Sequence, residues 1–296
     1  MYHSFLSESG FSMQRLASFC GVADAGSIVG AAKGDPVRQS LISRQIRELE
    51  SFFRVELIRR KGRGLELTEA GRDLAAIGRE NFKGLADYAA RCRNVALTLR
   101  IVASNSIAHW LLLPRLKKLA LTCPNTLFEI HHEQTREIVT TTREGTYDIA
   151  FVRKDALIGG LRSATLGEVG HSLLVPKILV KKAPKTIASV LKDVSVALPV
   201  GGRMRETVER VAARAGLGLN VAVSCSSYLQ AAQILESEMC AVVLPDVAIN
   251  RLKVQCYRLP LSEHYSLCLA WSARNANTRP ALANVIETLI RECRIG

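Results

Sequence analysis

From residue 99 onward the chain repeats one pattern. A short apolar run is followed by a polar turn, then a stretch with helical spacing, then another apolar run. The runs fall at 99–103, 127–131, 149–152, 194–198, 221–223, 241–244 and 266–271. Strand-length runs alternating with helices are the signature of βαβ units, so this zone is expected to form an α/β domain with a largely parallel sheet covered by helices. No apolar run approaches the ~20 residues that span a bilayer, and the richest one, 107–113, is interrupted by His109 and bounded by Pro114. With no basic, apolar leader in the first dozen residues, the expected location is the cytoplasm and no membrane partner is expected.

Residues 16 to 67 follow a different pattern, dense in short helices. Leu16, Phe19, Cys20 and Ala23 form an apolar stripe that ends at Ala25-Gly26, and Ser27 is placed to cap a second short helix over 28–33. Gly34-Asp35-Pro36 reads as a turn in which Asp35 caps a third helix and Pro36 takes its first position, where a missing N–H costs nothing. Along that helix Ile42, Ile46, Leu49 and Phe53 mark the buried side, leaving Gln39, Ser40, Ser43, Arg44 and Arg47 facing outward. Two helices joined by a tight turn form a helix-turn-helix, whose second member suits the DNA major groove. The net charge of 40 − 27 = +13 favours a polyanionic partner.

The residues Leu16, Phe19, Val22 to Ser27, Ala31-Ala32, Gln39 to Ile46, Leu49-Glu50 and Leu67 to Gly71 resemble the winged helix-turn-helix of the LysR-type transcriptional regulators. The resemblance implies three parts: a winged helix-turn-helix over 13–67, a linker and dimerisation helix over 68–97, and a two-lobed periplasmic-binding-protein-like α/β effector domain over 98–296. Its first lobe would comprise 99–163 and 267–295, and its second 164–266. Gln39, Ser40 and Ser43 are expected at base edges, where Gln pairs with adenine and Ser serves either base or phosphate. Arg38 joins them at the helix start, and Arg44 and Arg47 lie nearer the backbone. Arg59, Arg60, Lys61 and Arg63 sit in a basic glycine-tipped hairpin read between 55–58 and 65–67, placed to reach phosphates or a minor groove.

Positions 74, 78, 81, 85, 88, 92 and 95 step by four and three, a heptad rhythm that predicts pairing with a second copy of the chain as a dimer or tetramer. In the α/β zone three strand-to-helix junctions stand out: Ser104-Asn105-Ser106, Gly202-Arg203 after Gly201, and Ser226-Ser227. Ligands of open α/β folds sit off the carboxyl ends of strands, and free N–H groups at helix starts attract anions. These residues are therefore expected to hold a small effector, with Arg203 as counter-ion to a carboxylate or similar group. No GxxxxGKS/T, GxGxxG or GxSxG motif occurs, the eight cysteines form no CxxC pair, and His131-His132 alternate across a strand. No metal, cofactor or catalytic set is expected, and the chain is read as a regulator rather than an enzyme. The competing reading is a constitutive DNA-binding protein whose α/β domain serves only to assemble subunits.

Overall fold

The computed structural model describes residues 10–61, 64–133, 135–273 and 279–295. Helix α1 (Met13–Ala25) starts where the Ser12 hydroxyl accepts the Arg15 amide and stops at Gly26, whose φ of 65° places it in the left-handed region that glycine tolerates. Ser27 caps α2 (Ile28–Ala31) by accepting the Gly30 amide at 3.0 Å. That helix closes two residues earlier than the spacing predicts, because Lys33 and Gly34 both take positive φ and unwind the chain. Asp35 Oδ1 then accepts the amides of Val37 (2.9 Å) and Arg38 (3.3 Å), and α3 (Pro36–Phe53) begins on Pro36. Phe19, Val22, Ile46, Leu49, Leu57 and Ala75 close a compact core beneath these helices. Burial of each larger side chain among them contributes about 1.5–3 kcal/mol.

The wing is a two-stranded antiparallel hairpin, β1 (Ile58–Lys61) against β2 (Gly64–Leu67), in the register Ile58 with Leu67 through Lys61 with Gly64. Residues 55–57 were expected in its first strand and stay outside it. The Glu50 carboxylate accepts the amides of Leu57 (2.9 Å) and Ile58 (3.3 Å), so this stretch is tied to the end of α3. Arg59 and Arg60 accordingly lie within a strand rather than at a tip. The side chains of Arg60 and Lys61, and all of Gly62 and Arg63, lie outside the described residues.

Helix α4 (Glu69–Cys92) is capped by the Thr68 hydroxyl, which accepts the Gly71 amide at 3.0 Å. Its first half packs on the winged helix. A Cβ at Gly71 would stand 2.0 Å from the Leu57 carbonyl oxygen, so that position requires glycine, and one at Gly78 would stand 2.5 Å from Cys20 Sγ, so any larger residue there would have to displace the Cys20 side chain. Leu74 and Gly78, the first two positions of the heptad stripe, are thus spent on the chain's own core. From Asn81 onward the stripe is open, with Leu85, Tyr88, Cys92 and Val95 exposed.

The other flank of α4 is fastened to the α/β domain by charges. Arg79 donates to Asp24 of α1 (2.8 Å) and to the Glu144 carbonyl (2.7 Å). Lys83 reaches Asp148 at 2.6 Å, and Arg279 bridges Asp148 and Asp87 at 2.6 Å each. Burial lowers the Lys83 ammonium pKa, against the attraction of Asp148.

The α/β domain is built on one eight-stranded sheet. Its first lobe carries β3 (Leu97–Ala103), helical turns from Asn105 leading into α5 (Leu116–Thr122), β4 (Thr126–His132), α6 (Thr135–Arg143) and β5 (Ile149–Arg153). A long strand, β6 (Leu161–Pro176), crosses to the second lobe. That lobe holds α7 (Ile187–Asp193), β7 (Val196–Pro199), α8 (Arg203–Arg214), β8 (Val221–Cys225), α9 (Tyr228–Glu236) and β9 (Ala241–Pro245). A second long strand, β10 (Cys256–Ser272), returns to the first lobe, where α10 (Pro280–Glu292) closes the chain. The order is β4-β3-β5-β10-β6-β9-β7-β8.

Parallel pairing holds within each lobe, but β10 and β6 run antiparallel to each other and to β5 and β9, so the sheet is mixed rather than largely parallel. The run 266–271 is the second half of β10, but the rest of that strand and the whole of β6 escape pattern reading because each changes environment along its length. β6 passes through Gly167 and Gly170, and β10 through Pro260 and the polar run Ser262-Glu263-His264. A Cβ at Gly167 would fall 2.3 Å from the Ile295 carbonyl oxygen, so the close packing of the C-terminus is what keeps that strand interruption. Each lobe has its own core, one around Leu99, Ile149, Leu269 and Leu289 and the other around Leu173, Val196, Val208 and Val243.

Candidate functional site

The outward face of α3 is a local construction. Gln39 and Ser43 are half-buried against it, while Arg38, Ser40, Arg44 and Arg47 are exposed. Several of the basic groups have intramolecular partners: Arg44 stands 3.6 Å from Glu48, which also binds Arg15, and Arg47 Nε donates to the Ser43 carbonyl at 3.3 Å. On the wing Arg59 pairs with Glu56 at 3.1 Å, both largely solvated, a pairing worth at most ~1 kcal/mol and readily exchanged for a phosphate. Val37 and Leu41 were missed in the sequence reading. Both are exposed on the same face as Ser40 and Arg44, and apolar side chains in such a position suit contact with a thymine methyl. Their signal is available in principle, since neither falls on the buried 42, 46, 49, 53 stripe.

The second site is assembled from distant segments. A cleft of about 660 Å³ opens between the lobes at the carboxyl ends of β3, β5, β7 and β8, and Ser104, Asn105, Ser106, Gly202, Arg203, Ser226 and Ser227 all line it. Their local duties differ. Ser227 caps α9 by accepting the Gln230 amide at 3.3 Å, and the Ser226 hydroxyl bonds the Gln230 side chain at 3.0 Å. Ser104 and Ser106 bond each other at 3.4 Å, and Gly202, at φ 88°, begins α8 with no side-chain cap on its amides. Arg203 makes no hydrogen bond or ion pair among the described residues, yet it lies close enough to Asp155 to help hold that carboxyl below its ordinary pKa, a shift due first to the hydrogen bond from Arg153.

Further cleft residues were not anticipated. His132, Glu133 and Arg153 lie at the ends of β4 and β5, where the rule that located Ser104 would have found them, and Glu137 follows on α6. Glu133 accepts the Tyr147 hydroxyl at 2.6 Å, and burial together with this bond pushes the phenol up to about 12. His171, Glu263 and Tyr265 come from the two crossing strands and had no sequence signal. His171 is 4% exposed, with ring centroids of Tyr228 and Tyr265 at 5.7 and 5.9 Å. Its Nδ1 has no hydrogen-bond partner among the described residues, and burial holds its pKa below the ordinary histidine value despite the attraction of Asp246. Burial also pushes both tyrosines up to about 12. Glu263 would be raised by burial, but hydrogen bonds from Thr207 (2.5 Å) and Ser262 (2.9 Å) hold it below the usual carboxylate value. Among the described residues no His, Cys, Asp or Glu group is arranged to hold a metal ion, and all eight cysteines are free thiols.

Two family descriptions account for this architecture. "Bacterial regulatory helix-turn-helix protein, lysR family" matches residues 13–72, and "LysR substrate binding domain" matches residues 93–294. The chain belongs to the LysR family. TcbR, an HTH-type transcriptional regulator from Pseudomonas sp. (strain P51), is 27% identical over 308 residues, covering 95% of this chain and 99% of TcbR. A probable RuBisCO transcriptional regulator from Trieres chinensis is 31% identical over 147 residues, 48% of this chain and 47% of the relative. Among solved structures, a full-length OxyR variant from Pseudomonas aeruginosa has a TM-score of 0.68 at 20% identity, covering 96% of this chain and 95% of that one. LysG from Corynebacterium glutamicum with bound effector Arg also gives 0.68, at 16% identity and 96% and 100% coverage, which shows the shared fold. As a LysR-type regulator, the protein acts in transcription by binding DNA through its winged helix and an effector through its α/β domain. Among the described residues no helix is long and apolar enough to cross a membrane.

Proposed function

We propose that this LysR-family protein reads operator DNA with Arg38, Gln39, Ser40 and Ser43 at base edges and with Arg44, Arg47 and the wing residues Arg59, Arg60, Lys61 and Arg63 at the backbone. A small effector carrying an anionic group occupies the cleft on Ser104, Asn105, Ser106, Gly202, Arg203, Ser226 and Ser227. The observation that carries this reading is the cleft itself: seven residues chosen from three separate strand-to-helix junctions line one cavity. A second copy of the chain packs along the open stripe of Leu85, Tyr88, Cys92 and Val95 on and just beyond α4.

An effector switches operator binding by its differential affinity for two lobe arrangements, a coupling of commonly ~1–3 kcal/mol. The competing reading, a constitutive binder, has no use for such a cavity. Operator binding tests the DNA face: Gln39→Ala is expected to relax preference at one base pair by ~1–3 kcal/mol, while Arg59→Ala weakens all sequences alike and flattens the salt dependence by ~1 in slope. Equal loss of specific and random-sequence binding in the Gln39 variant would remove that residue from the reading set.

A further inference from the structure

The α/β zone is strongly basic, yet its cleft is not. Three carboxylates line it, Glu133, Glu137 and Glu263, against two guanidiniums, Arg153 and Arg203. Arg153 is already bound bidentately by Asp155, and it lies over the Tyr265 ring at 5.2 Å. Arg203 therefore remains as the free cation of the lining among the described residues. Glu263 is likewise committed, to two hydroxyls and, at 3.8 Å, to Arg210.

The uncommitted charges are sorted by lobe. On the second lobe stand Arg203 and the starts of the twelve-residue α8 and nine-residue α9, all favourable to an anion. Facing them on the first lobe, the Glu137 carboxylate has no hydrogen bond or ion pair among the described residues, and Glu133, which accepts from Tyr147 at 2.6 Å and from Thr141 at 3.4 Å, keeps acceptor capacity beyond those two bonds. Apolar and aromatic side chains, including Phe151, Met204 and Tyr265, line the space between. At the base His171, 4% exposed, holds a ring nitrogen that nothing among the described residues satisfies, a state that buried polar atoms rarely keep unless another molecule completes it.

We propose that the effector is a bipolar molecule of the amino-acid class, with a carboxylate or similar anion held by Arg203 and the α8 and α9 starts, and an ammonium group held by Glu137 and Glu133 across an apolar middle. This rests on the reading of the cleft as the effector site and narrows it. A dianion would place its second charge against the two glutamates, whereas a zwitterion leaves each wall neutralised. Because the two ends engage opposite lobes, affinity depends on lobe separation, which is the differential binding a regulator needs.

The test uses the full-length protein with matched probes that differ only in their ends. These are the common amino acids and 5-aminopentanoate, the corresponding acids lacking the amine (3-phenylpropionate, glutarate), and the corresponding amines lacking the acid (phenethylamine, 1,5-diaminopentane). Calorimetry and thermal shift are expected to show binding by one or more bipolar probes, at least about tenfold tighter than the matched acid or amine. Glu137→Gln, at an exposed position where folding is insensitive, is expected to remove that tenfold preference over the matched acid, and Arg203→Gln to weaken the bipolar probe similarly. An acid that binds as well as its bipolar partner, and is weakened by Arg203→Gln but not by Glu137→Gln, overturns the bipolar assignment and leaves the anion-binding cleft standing. Binding indifferent to both variants overturns the cleft as well. Failure of every bipolar probe to bind overturns the bipolar class, whatever the acids and amines do.

Discussion

The DNA-reading face and the effector cleft solve the placement of functional groups in opposite ways. On α3 the groups come from one continuous helix whose start is set by its own Asp35-Pro36 pair, so every candidate contact lies within about three turns of its cap. The cleft instead gathers side chains from β4, β5, α6, α8, α9 and both crossing strands, and its shape exists only once two lobes have been threaded together by β6 and β10. A local site tolerates change elsewhere and responds to its own caps. An assembled one depends on long-range packing, which is also what allows a ligand to alter it.

That contrast has a junction, the charges between α4 and the α/β domain, and breaking it is expected to have the largest effect. Arg279 and Asp148 are each 1% exposed, and Arg279→Ala leaves Asp148 with Lys83 as its remaining ionic partner. Removing one member of a buried pair costs about 3–5 kcal/mol, seen as a fall in melting temperature by calorimetry. A loss below about 1 kcal/mol, the scale of a surface pair, would show that the two regions are not held together by these charges.

Next in size is the stripe that neither region uses. Leu85→Glu places a charge in the proposed seam, and we expect self-association to weaken tenfold or more, ~1.4 kcal/mol, by analytical ultracentrifugation. The melting temperature of the separated chain should stay within what a surface change of ~0.5 kcal/mol allows. An unchanged association constant would take Leu85 out of the interface.

The smallest effect sharpens the local side of the contrast. Asp35→Ala removes the acceptor of two amides at the start of α3 and is expected to cost about 1 kcal/mol in stability. Operator affinity should fall while effector affinity is untouched, and a matching loss of effector binding would mean that the cleft feels the recognition helix directly.

The winged helix was legible because its instructions are short-range. Ser27, Asp35-Pro36 and Thr68 each cap a helix that begins within the next residue, and the 42, 46, 49, 53 stripe states which side is buried. The strands of each lobe were legible as apolar runs, and the three strand-to-helix junctions pointed to the cleft. Tertiary structure alone decided the rest. The Glu50 carboxylate withdrew residues 55–57 from the wing, and the winged-helix core took Leu74 and Gly78 out of the open stripe. β6 and β10 brought His171, Glu263 and Tyr265 to the cleft floor from segments with no periodic pattern. Caps and periodicity act over a few residues and are written locally. The sign of a cleft is set instead by which charged side chains remain unpaired after folding, and partners such as Thr207 and Arg210 for Glu263 are chosen only when remote elements meet.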